Sequence, residues 1–146
     1  MTDLTLDEQV EDLFPVDGPH GEDRSREAAR SIAALVRYLN HATYHAEATP
    51  YPSVIDAVVR SLGSAVFGLD QLLRQLGDQF DAQVERFGDR LYSDDGRPAG
   101  AVADAFRANL DAARYQLTEA AGNLQRAGSY GNHLGVRSTQ AAREGR

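Results

Sequence analysis

At 146 residues, with 42% hydrophobic and 25% charged residues, the chain has the size and composition of one soluble globular domain that needs no disulfide or metal to hold a core. The absence of cysteine excludes disulfides, thiolate chemistry and Cys-ligated zinc or iron–sulfur sites. A formal net charge of -7 disfavours nucleic acid and anionic membrane as partners.

Residues 1–23 form a separate acidic region, with eight acidic residues and no basic one. Thr5 and Glu8 fit a capping box, in which the hydroxyl takes an early N–H and the carboxylate reaches back. Leu6, Val10, Leu13 and Phe14 follow at helical spacing, and Pro15 stops the turn. This predicts a short amphipathic helix, marginal alone in water, followed by a linker over 16–21. The segment lacks the basic and apolar parts of a secretory signal. No apolar run in the chain approaches the ~20 residues of a membrane span, so a cytoplasmic protein is expected.

A helix is predicted over 24–43, capped by Asp23 or Ser25, with Ala28, Ile32, Leu35, Val36 and Leu39 as its stripe. Pro50 and Pro52 break it. The longest periodic stretch is 53–92, with Ser53 as N-cap. Its large apolar positions, from Ile55 and Val58 through Leu62, Val66, Leu69, Leu73 and Leu76 to Phe80, Val84, Phe87 and Leu91, recur at about 3.6 residues, the period of a straight helix. One long helix is expected here, with a break near Gly77 as the alternative. Residues 93–98 read as a turn. A last helix is predicted over 98–127, with Val102, Phe106, Leu110, Ala113, Leu117, Ala121 and Leu124 inward. Asp104 with Arg107, and Asp111 with Arg114, are placed on its outer face, and Gly128 at its C-terminal cap. Residues 136–146 read as a disordered polar tail.

No strand pattern appears. The expected fold is an all-α antiparallel bundle built on one long central helix. It comprises an acidic segment (1–23), the bundle (24–135) and the tail (136–146).

The densest polar cluster is Tyr38, Asn40, His41, Tyr44, His45 and Glu47. His41 and His45, four apart, would share a helix face, a spacing that can chelate a metal. The general base of a zinc-protease motif is missing, and two histidines at a helix C-terminus also suit the dipole. Tyr38 and Tyr44 are expected as half-buried rings packed on the long helix. There is no nucleophile elbow, phosphate loop, dinucleotide motif, calcium loop or basic recognition helix. No catalytic residue, metal or cofactor is therefore assigned. The expected function is protein–protein contact, with another protein or with itself. The expected surfaces are Leu6, Val10, Leu13 and Phe14 on the acidic helix and Tyr38, Asn40, His41 and His45 in the polar cluster. The alternative is a small metal- or ligand-binding enzyme using His41 and His45.

The stretch from Leu35 to Thr43, then Pro50-Tyr51-Pro52 and the run from Leu69 to Leu76, resembles a set of small uncharacterised helical proteins of actinomycetes over residues 28–135. The lysine-free composition, with all 15 basic residues arginine, agrees with such GC-rich sources. A second resemblance is to the helical hairpins of the WXG100 type, carried by the last two helices and by Tyr115 four residues before Glu119. It implies export by type VII secretion. The chain has no Trp, and its turn reads Tyr92-Ser93-Asp94-Asp95-Gly96.

Overall fold

A computed structural model describes residues 4–135. Among these, all regular structure is helical: α1 (Leu6–Leu13), α2 (Glu22–Ala42), α3 (Pro52–Phe87) and α4 (Ala99–Gly131), with short 3-10 turns at Ala46–Ala48 and Gly88–Arg90. The tail assigned to 136–146 lies outside the described residues. The chain divides into two units, Met1–Pro50 and Tyr51–Arg146.

In the first unit, α1 starts as the sequence requires. Thr5 Oγ1 accepts from the Glu8 backbone N–H, and the Glu8 carboxylate accepts from the Thr5 N–H at 2.7 Å. Helix α2 begins at Gly21, which caps it without a side-chain bond; neither Asp23 nor Ser25 is the cap. Ser25 instead bonds the Gly21 carbonyl from inside the first turn, at 3.0 Å. Helix α2 ends at Ala42, and α1 and α2 do not pack along each other.

In the second unit, α3 is one unbroken helix of 36 residues. It opens at Tyr51 with Pro52 in the first turn, not at Ser53, because proline at that position gives up no needed N–H. It ends at Gly88, whose φ of 48° is open to glycine and strained for other residues. Helix α4 returns along it. Asp56 faces Gly131, Gly63 faces Leu124, Asp70 meets Arg114, and the Phe80 and Phe106 rings sit 4.2 Å apart.

A run of covered positions on α3, Asp56, Val59, Gly63, Val66, Asp70, Leu73, Gly77, Phe80 and Val84, alternates three and four apart, and Pro52, Val54, Val58, Leu62 and Leu69 are half-buried as well. The run is a heptad seam of period 3.5, not the 3.6 stripe of large side chains. The seam takes Val66, Leu73, Phe80 and Val84 from that stripe and fills most other places with glycine or aspartate. Gly77 therefore does not break the helix. A side chain there would run into the Arg107 guanidinium and, at 3.2 Å, Leu110.

The seam partners on α4 also differ from expectation. Arg107 and Arg114 face α3 rather than solvent. Arg107 reaches Asp81 at 3.1 Å, Asp78 at 3.7 Å and Asp111 at 3.3 Å, with no bond to Asp104. Arg114 bonds Asp70 at 3.1 Å and Asp111 at 3.4 Å. Helix α4 runs through Gly128 to Gly131. These glycines serve close approach, not capping: a Cβ on Gly131 would lie 3.0 Å from the Asp56 Cβ, and one on Gly128 would lie 2.9 Å from the Arg60 Cγ.

Candidate interaction surfaces

Among the described residues only Asp56, Gly77 and Gly128 are buried, and no large apolar side chain is. The hairpin covers one seam, half-covers positions beside it such as Leu62, Leu69, Ala113 and Ala120, and leaves the outer face of each helix exposed.

The two grooves of the hairpin define its two sides. One brings Arg60 and Phe67 of α3 together with Thr118 and Gln125 of α4. Its lining mixes charge, amide and hydroxyl with one prominent ring, Phe67, 73% exposed. The other, near the turn, brings Gln83 of α3 together with Ala99 and Val102 of α4. On a heptad helix, residues seven apart lie one above another. Seven-residue intervals from Gln83 toward the start of α3 reach Leu76, Leu69, Leu62 and Ile55. The same intervals from Ala99 along α4 reach Phe106, Ala113, Ala120 and Ala127. This side thus carries an aliphatic row from Ile55 to Leu76 beside a row that is alanine except at Phe106. Outside them lie Val58, Ala65, Leu72 and Gln79 on α3, and Val102, Asn109, Gln116 and Asn123 on α4.

None of these positions is charged. Every Asp, Glu and Arg of α4, and every one on α3 from 55 to 84, sits in the seam or on the remaining surface. The face is partly open: Ile55 and Leu76 are each 50% exposed, Phe106 47% and Leu72 41%, whereas Val58, Leu62, Leu69, Val102, Ala113 and Ala120 are half-buried. By length and average composition an 18-residue window within Pro52–Arg90 is apolar enough to cross a membrane, although no run is uninterrupted. Sequence reading misses this face because its signal is where charge is absent, and that can be read only once the seam is known.

Among the described residues Asp56 is the one buried charge, and Arg60 pairs with its Oδ2. Its Oδ1 has no hydrogen-bond donor and lies against Gly128 and Gly131.

The expected partner-binding residues all lie in the first unit. Leu6, Val10 and Leu13 are exposed along α1, and Phe14 is half-buried at its C-terminal cap. Tyr38, Asn40 and His41 lie in the last turns of α2, all three exposed. Both expected half-buried rings, Tyr38 and Tyr44, are exposed.

His45 does not continue the helix. Its N–H bonds the Ala42 carbonyl at 2.9 Å, and it caps the 3-10 turn at Ala46–Ala48. The helix ends between the two histidines, so they do not share a helix face. No group of three His, Asp or Glu placed to hold a metal occurs among the described residues. Tyr115 lies in the middle of α4, exposed.

Among the described residues, Glu8 in the first turn of α1 and Asp95 in the loop between α3 and α4 have lowered pKa values. Glu8 is held down by the Thr5 backbone N–H and then by its hydroxyl. Asp95 is held down first by the Ser93 hydroxyl, then by the Arg97 backbone N–H and guanidinium. Both are exposed and serve local structure. Comparison with protein-family models, curated proteins and solved structures finds no match for this chain.

Proposed function

We propose that this chain is a non-catalytic helical interaction module, an adaptor, regulator or self-assembling protein, acting in the cytoplasm by offering apolar helix faces to a protein partner. One observation carries the reading: no large apolar side chain among the described residues is buried, and Ile55, Phe67, Leu72, Leu76 and Phe106 stand exposed on the hairpin. Apolar surface contributes about 25 cal/mol per Å² when removed from water, so such faces favour association. In this reading α3 is the spine of an antiparallel bundle that is completed when a partner covers its open face. The acidic helix α1, with Leu6, Val10 and Leu13 exposed, is a second docking element of the groove-binding kind.

The test is affinity capture from the cells that make the protein. The full chain is run beside a Leu72→Glu, Leu76→Glu variant and a chain lacking residues 1–22. A protein held by the full chain and lost from one of the altered chains is the expected result. Equal recovery from all three would contradict the reading.

A further inference from the structure

We infer that the charge-free side of the α3–α4 hairpin is a self-association surface whose occupant is the same side of a second copy. This rests on the interaction reading above and names its partner.

The first support is shape. Leu62, Leu69 and Leu76 form a bulky row beside a small stretch of Ala113, Ala120 and Ala127, which gives way nearer the turn to Phe106, packed on Phe80. Two copies meeting face to face about a two-fold axis parallel to the helices place α3 of each over α4 of the other. Each leucine row then lies on an alanine row, so one surface supplies both knobs and holes. A two-fold axis across the helices would set leucine on leucine and alanine on alanine, leaving gaps beside collisions.

The second support is charge. Along the rows from Ile55 to Gln83 and from Ala99 to Ala127 closure buries no charged side chain, which would oppose association; Asp94, lining the groove at the turn, stands at the end of the face. Asn109, Gln116 and Asn123, along the outer edge of α4, provide a neutral polar rim.

The third support is size. From Ile55 to Gln83 the face runs roughly 40 Å at ~1.5 Å per residue, across two helices about 18 Å wide. That gives about 700 Å² per copy, close to the ~800 Å² per partner of a standard specific interface.

The competing occupant is lipid. Helices that lie on membranes border their apolar side with cations. Here residues 52–131 hold eleven acidic residues against eight arginines.

Sedimentation equilibrium of the full chain tests the inference. The expected mass is twice 15.9 kDa. The Leu72→Glu, Leu76→Glu variant is expected to weaken association by at least ~10-fold while keeping its far-UV helical signal. In case that variant unfolds, two others keep the face apolar, since the chain has no native cysteine. Leu69→Cys and Ala120→Cys chains, mixed and oxidised, are expected to form the mixed disulfide in preference to either self-disulfide.

A preference of the Leu69→Cys chain for disulfides with its own kind would overturn the proposed arrangement. A wild type that stays monomeric overturns self-association, and the dye anilinonaphthalene sulfonate then separates the two readings. Dye bound by the monomer and lost in the double variant leaves the interaction reading standing with a different protein partner. No dye binding defeats both. A monomer that floats with phosphatidylcholine–phosphatidylglycerol vesicles assigns the face to lipid and also overturns the second copy.

Discussion

Gly131 and Gly68 are both helical glycines, yet their substitution has opposite expected signs. Gly68 has nothing within 4 Å of where a Cβ would sit, so Gly68→Ala is expected to stabilise the chain by up to ~1 kcal/mol through helix propensity. Gly131 has the Asp56 Cγ 2.9 Å and Cβ 3.0 Å from that position, so Gly131→Ala is expected to cost ~1–3 kcal/mol from overpacking. Urea unfolding of the two variants checks both signs. At the other end of the chain, the Glu8 pKa is depressed because Thr5 donates to its ionised form. A depressed acid stabilises α1 above the ordinary carboxylate value, and that contribution is lost as pH falls through the lowered value. Titration of Glu8 by NMR is expected to show its pKa rising part of the way toward the ordinary range in Thr5→Ala, which removes the hydroxyl and keeps the backbone N–H. A value unchanged by the substitution would show that the hydroxyl does not hold the carboxylate. The capping box was legible in the sequence because both partners lie within one turn. The work of Gly128, Gly131 and Asp56 was not, because it depends on what stands across the seam.

The length of α3 was legible as well, since large apolar residues keep one helical phase from Ile55 to Val84. The phase of its packed face was not. Large side chains dominate a periodicity count, whereas nearly half of this seam consists of Asp56, Gly63, Asp70 and Gly77, where closeness or a counter-charge from α4 matters more than bulk. The same reasoning moves Arg107 and Arg114 from the outer face to the seam. Asp70 and Arg114, 3.1 Å apart and each about a quarter to a third exposed, are expected to couple by ~1 kcal/mol. A double-mutant cycle of Asp70→Ala and Arg114→Ala, measured by urea unfolding, checks this. A coupling near zero would mean that the pair is only a register marker. The helix end before His45 is the element-scale reason that the His41/His45 metal reading loses its geometry, since four-residue spacing places two side chains on one face only while the helix continues.

At the scale of the molecule, the all-α class follows from unbroken helical periodicity and the lack of strand alternation. The surface on which the functional proposal rests emerges only once the seam is known, because the charge-free rows are defined by their distance from it. A hairpin with one covered seam and one open apolar side draws part of its stability from whatever covers that side. The central claim is that this cover comes from association. The most direct measurement is the thermal unfolding midpoint of the full chain, followed by circular dichroism over a hundredfold range of protein concentration. Association through the open face is expected to raise the midpoint steadily with concentration, and the Leu72→Glu, Leu76→Glu variant is expected to abolish that slope. A midpoint independent of concentration, with a single cooperative transition in the wild type, would contradict the claim.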